Sequence, residues 1–154
     1  MLKISKLTDY AIIMLGYMAR QPESTYAAAE LAEATGVSIP TVSKILKILA
    51  RSYILKSTRG AKGGYALARP PLQTSVAAVI HALEGPIALT ECEGEHGGCE
   101  QSSSCHARGS WEVINRAVRA ALESVTLADM ARPSAASPQE VLVPVASIGK
   151  QVRN

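Results

Sequence analysis

The sequence predicts a mainly α-helical fold with a small β-hairpin wing: a winged helix-turn-helix followed by a long C-terminal helix. Three observations predict it. Apolar residues recur at three- and four-residue spacing between Leu7 and Leu49, the period of helices packed on one face. Two short strand-like runs, Tyr53–Thr58 and Gly64–Ala68, flank a basic, glycine-containing loop. The only aromatic residues are Trp111 and five tyrosines, with no phenylalanine, so the core is aliphatic, which favours packed helices.

Each element follows from its own stretch of chain. Leu7, Tyr10, Ala11, Met14, Leu15 and Met18 line one face of a first helix from Leu7 to Ala19. Thr8 and Asp9 offer capping chemistry near its start, and Gln21-Pro22 ends it. A second, alanine-rich helix from Ala27 to Thr35 stops at Gly36. Ser38 caps a third, which has Pro40 in its first turn and Val42, Ile45, Leu46 and Leu49 as its apolar stripe. Two helices joined through Thr35-Gly36-Val37-Ser38 form a helix-turn-helix. The hairpin after it, with Arg59-Gly60-Ala61-Lys62-Gly63 at its tip, is the wing.

Pro70-Pro71 closes this unit, and a short helix is expected from Ser75 to Leu83. A polar, glycine- and serine-rich loop follows, from about Gly85 to Ser104. A helix returns from His106 or Ser110 to Ser124, with Trp111, Ile114, Val118, Ala121 and Leu122 on one face, and Leu127–Met130 adds a last turn. Beyond Pro133 the chain turns to Pro, Ser, Ala and Gln. The expected organisation is a reading unit over 1–72, a loop-and-helix unit over 73–131 and a flexible tail over 132–154.

Composition narrows the class. With 47% hydrophobic and 19% charged residues, the 154-residue chain has the balance of a soluble globular protein. The N-terminus lacks a signal-peptide pattern, and no apolar run reaches the roughly 18 residues that span a bilayer. A cytoplasmic protein without membrane contact is expected. The net charge of +3 is unevenly spread: residues 1–72 carry ten Lys or Arg against four acids, and residues 73–154 carry six against nine. A basic first half is the electrostatic footprint of a nucleic-acid surface.

The partner this implies is double-stranded DNA. A reading helix must offer short or hydrogen-bonding side chains to base edges while cations anchor phosphates. Ser38, Thr41, Ser43 and Lys44 lie off the apolar stripe of the third helix, and Ser38 serves as cap and contact together. Arg59 and Lys62 in the wing reach a phosphate or a narrowed minor groove, and Gly60, Gly63 and Gly64 allow close backbone approach. Lys47 and Arg51 add general positive field.

The second chemical signal is Cys92, Cys99 and Cys105, the three cysteines of the chain, all within the polar loop. In a reducing compartment, clustered thiols are ligands or redox groups rather than disulfides. Thiolates on one loop suit a soft metal centre, either zinc or an iron–sulfur cluster. Three cysteines plus His106 would make a structural zinc site and the chain a zinc-stabilised interaction module, although zinc motifs usually pair cysteines at shorter gaps. No Cys-x-x-Cys pair, phosphate-cradling glycine motif or nucleophile–base partnership is evident, so an enzyme is not expected.

Lys6-Leu7-Thr8-Asp9-Tyr10-Ala11, the wing Arg59–Leu67 and the three-cysteine loop followed by Trp111 together resemble the IscR, NsrR and SufR group of bacterial winged-helix regulators. The resemblance runs in order from about residue 1 to residue 131. It implies a homodimer, paired through the helix near Ser110–Ser124, on a palindromic operator; two half-sites one helical turn apart also call for a two-fold dimer. It further implies a 2Fe–2S or 4Fe–4S cluster on Cys92, Cys99 and Cys105, and repression of iron–sulfur assembly genes.

The match is not complete. The spacing Cys-x6-Cys-x5-Cys is one residue longer in its first gap than the IscR pattern, and Arg108 stands where IscR-like proteins have a histidine ligand. The fourth ligand is open between His106 and Asp9, which matches the aspartate of NsrR-like members that reaches the partner subunit's cluster. Asp9 also suits a helix start through the dipole. That same Thr8-Asp9-Tyr10 segment favours, as the alternative signal, nitric oxide.

Overall fold

A computed structural model describes residues 3–60, 63–90 and 108–132. Six α-helices and one β-hairpin are found among them: α1 (Lys6–Met18), α2 (Ala28–Thr35), α3 (Ile39–Arg51), β1 (Leu55–Thr58), β2 (Gly64–Leu67), α4 (Val76–Glu84), α5 (Arg108–Ser124) and α6 (Leu127–Met130). A 3-10 turn at Pro71–Gln73 leads into α4. None of the described helices is long and apolar enough to cross a membrane.

Helix α1 starts one residue earlier than the periodicity suggests, because its cap is Ser5, not Thr8 or Asp9. The Ser5 hydroxyl accepts the Thr8 amide at 3.3 Å, leaving Asp9 within the first turn. Helix α2 ends where Gly36 adopts φ +70° and its N–H reaches the Ala32 carbonyl; a glycine carries this left-handed cap without the Cβ penalty. Helix α3 buries Val42, Ile45, Leu46 and Leu49, the predicted stripe. Ser38 holds the N-cap position, yet its hydroxyl makes no capping bond to the backbone.

Strands β1 and β2 pair antiparallel with Leu55 opposite Leu67 and Thr58 opposite Gly64. The hairpin is tied back to the helices by Tyr26, which exchanges two 2.9 Å backbone hydrogen bonds with Tyr65. Tyr26 directly precedes the Ala27 N-cap of α2, so the wing is hydrogen-bonded to the chain leading into the helix-turn-helix.

Ser75 caps α4 by accepting the Ala78 amide. After α5 the chain returns to the start of α4: the Val76 amide donates to the Val125 carbonyl, and the Leu127 amide to the Thr74 carbonyl, both at 2.9 Å. Thr126 and Asp129 then form a reciprocal capping box that starts α6. One aliphatic cluster unites Met14, Leu15 and Met18 of α1 with Leu31, the α3 stripe, Leu55, Leu67, Val79 of α4 and Leu127 of α6. Helix α5 supplies none of its buried members.

Candidate nucleic-acid interface and cysteine segment

The α3 stripe faces the core, and this fixes which side chains remain outside. Ser38 and Lys44 are exposed, and Thr41 and Ser43 are half-buried at the edge of the same surface. The Ser38 hydroxyl lies 2.9 Å from that of Thr41, so these two predicted contacts hydrogen-bond to each other across the first turn. Ser38 thus spends its side chain on Thr41 instead of a backbone amide. Lys47 and Arg51 continue along the helix as exposed cations.

Arg59 and Gly60 are exposed at the wing tip, and the Gly63 amide donates to the Gly60 carbonyl at 2.9 Å to close the turn. Lys62 lies outside the described residues. Two wing glycines also have reasons inside the fold. A Cβ on Gly63 would collide with the Thr58 carbonyl, and one on Gly64 would come within 2.6 Å of the Tyr26 carbonyl. Close packing of the hairpin on itself and on Tyr26 therefore requires them. Among the described residues, the ion pairs are Arg116–Glu112 on α5 and Arg132–Asp129 beside α6. Neither of these two pairs involves Lys44, Lys47, Arg51 or Arg59.

Sequence reasoning passed over two residues of this region. Tyr26 anchors the wing, and no local pattern marks it because its partner is Tyr65. Ile39 is the first residue of α3 and 54% exposed. Its spacing of three before Val42 would assign it to the core, but the side chain lies outside it, although Val37 just before the helix is buried.

Cys92, Cys99, Cys105 and His106 lie outside the described residues; their flanks do not. Glu84, the last residue of α4 and eight before Cys92, reaches across to the start of α1. One carboxylate oxygen accepts the Thr8 hydroxyl at 2.6 Å and the Ser5 amide at 2.9 Å. The Thr8 hydroxyl, then the Ser5 amide, hold the Glu84 carboxyl below its ordinary value of 4.5. Asp9, exposed and next to Thr8, follows the residue that Glu84 holds. Just past Glu84, the Ile87 carbonyl accepts a hydrogen bond from Arg119 of α5 at 3.3 Å. Helix α4 touches α1, α3 and α5, so the segment's anchor also packs on the reading helix.

The donor set offered by the segment is three thiols, with a carboxylate or imidazole at hand, and this chemistry fits a soft metal or iron–sulfur group. Among the described residues no group of three His, Cys, Asp or Glu side chains forms a competing metal site.

Comparison with known proteins places this geometry. Residues 4–133 match the family described as "Rrf2: Iron-dependent Transcriptional regulator". The chain is 30% identical over 139 residues to protein rrf2 of Nitratidesulfovibrio vulgaris, covering 90% of this chain and 93% of that one. The solved structure of T. potens IscR aligns with TM-score 0.63 and 29% identity, over 84% of this chain and 85% of that one. That of CymR, described as the global cysteine regulator of B. subtilis, aligns with TM-score 0.66 and 31% identity, over 85% and 97%. The resemblance to the IscR group thus widens to a family that also contains Rrf2 and CymR. This chain belongs to the Rrf2 family, non-enzymatic DNA-binding transcriptional regulators of winged helix-turn-helix fold.

Proposed function

We propose that this chain is a cytoplasmic, homodimeric repressor whose grip on a palindromic operator is set by an iron–sulfur cluster on Cys92, Cys99 and Cys105, and that it controls iron–sulfur assembly genes. One observation carries the reading: the chain's three thiols are strung between α4 and α5, and α4 packs on the reading helix. Residues 1–72 read DNA, 73–131 sense and pair, and 132–154 form a tail. This division is functional, since Val79 and Leu127 share the reader's core.

The chain's own residues have separate tasks. Ser38, Thr41, Ser43 and Lys44 face base edges and phosphates, while Arg59, Gly60, Lys62 and Gly63 bring the wing to the backbone or minor groove. Cys92, Cys99 and Cys105 would hold the group, each as a thiolate that has given up its proton. Asp9 or His106 completes the set. When bound, a cluster supplies a group that oxidants, nitric oxide or iron shortage destroy. A change in what the cysteines hold would pass through α4 to α3 by their contact, and regulation requires that the two states bind DNA differently.

The likeness to CymR favours a second reading, in which the same three thiols report thiol chemistry directly. Anaerobic purification with a visible spectrum and iron and sulfide assays separates the two. The cluster reading predicts charge-transfer absorbance at or above roughly 400 nm with stoichiometric iron and sulfide. It predicts loss of that absorbance in Cys92→Ala, Cys99→Ala or Cys105→Ala. Zinc alone would make the loop a structural site, and a metal-free protein after reconstitution would leave the thiol reading.

A further inference from the structure

We propose that Ile39 reads thymine, packing its side chain on the C5-methyl group of a base in each half-site. The proposal rests on the DNA-binding role of α3 and names a base that this helix selects. Ile39 is the first residue of α3 and 54% exposed, while the stripe of Val42, Ile45, Leu46 and Leu49 behind it is fully buried. Pro40 beside it is exposed and has no backbone N–H to offer. The nearest hydroxyls, Ser38 and Thr41, lie 2.9 Å apart and are engaged with each other. The tip of α3 therefore presents one apolar side chain, flanked by these hydroxyls, where a helix-turn-helix ordinarily meets base edges. In the major groove, the apolar feature of a base-pair edge is the thymine methyl. The Ser38–Thr41 pair flanks this contact and Lys44 lies a turn further on.

The test starts with duplexes selected from a random pool by the full chain. Each thymine of the selected site is then replaced by deoxyuridine, which removes the methyl and keeps the base pair. At the thymine under Ile39, wild-type affinity falls about 3- to 5-fold, the factor expected for exposing one methyl-sized apolar contact. Ile39→Ala binds the thymine duplex weakly and no longer distinguishes it from the deoxyuridine duplex. Ile39→Val keeps part of the discrimination. Deoxyuridine neutral at every position in the wild type overturns the proposal, as does an unchanged penalty in Ile39→Ala. A change of oligomeric state in Ile39→Ala would reassign the side chain to a protein contact and overturn it equally. Failure to enrich any duplex sinks the DNA-binding role of α3 itself, a separate outcome.

Discussion

A single carboxylate joins two distant stretches of the chain. Glu84 accepts hydrogen bonds from Ser5 and Thr8, 79 and 76 residues away, and so pins the start of α1 to the end of α4. Because the folded pKa is depressed, the charged form stabilises the fold above the unfolded carboxylate value, and this contribution fades as pH falls through the lower folded value. Glu84→Gln should reduce stability at pH 7 by about 1 kcal/mol or less, since the group is largely solvent-accessible and screened. The deficit should shrink as pH drops below about 4. Thermal melts of both proteins across that range check the sign: a deficit that grows in acid would remove the clamp's charge from the account. Asp129, held down by the Thr126 amide and hydroxyl, follows the same direction. In the sequence, the true α1 cap was legible in principle from Ser5-Lys6-Leu7-Thr8, a serine three residues before the amide it accepts. Glu84 offered no such cue.

Among the elements, the wing depends most on a contact outside itself. Two strands of four residues are marginal alone, and the Tyr26–Tyr65 exchange adds a third backbone partner. Gly64→Ala places a methyl 2.6 Å from the Tyr26 carbonyl and 2.9 Å from the Thr25 side chain, so one side must shift. The expected cost is about 1–3 kcal/mol, the range for overpacking, with faster amide exchange at Tyr26 and Tyr65 and weaker DNA binding. Unchanged exchange at these two amides would show that the wing stands without the tie. Helix α6 has only four residues, and Leu127 is its fully buried anchor. Periodicity indicated an added turn there, but not that the turn plugs the core of the reading unit.

For the whole molecule, α5 is the element with an unfilled requirement. It is strongly amphipathic, yet Trp111, Val113 and Ile114 remain 40–44% exposed, and α4 is its main described neighbour. Such a surface suits the second copy of the proposed homodimer. Ile114→Asp should yield a folded monomer by sedimentation equilibrium and lower affinity for a palindromic duplex at least about tenfold, because two linked readers bind better than one. A variant that stays dimeric with full affinity would place the pairing surface elsewhere. Helix α4 also belongs to this scale, since it meets α1, α3 and α5 at once.

The sequence by itself determined the helical class, the helix-turn-helix, the wing and the thiol set. Each is written in a window of a few residues: the α3 stripe in its three- and four-residue spacing, the turn in Gly36, the hairpin in glycines between apolar runs, the clustered thiols in Cys92, Cys99 and Cys105. Tertiary structure alone decided the Glu84 clamp, the Tyr26 tie, the burial of Leu127 and the exposure of Ile39. The first three join residues 39 or more positions apart or depend on which elements stack, and no local period encodes that. Ile39 shows the converse: its spacing of three before Val42 is that of a core residue, yet it is exposed, because burial depends on which side chains the packed elements cover.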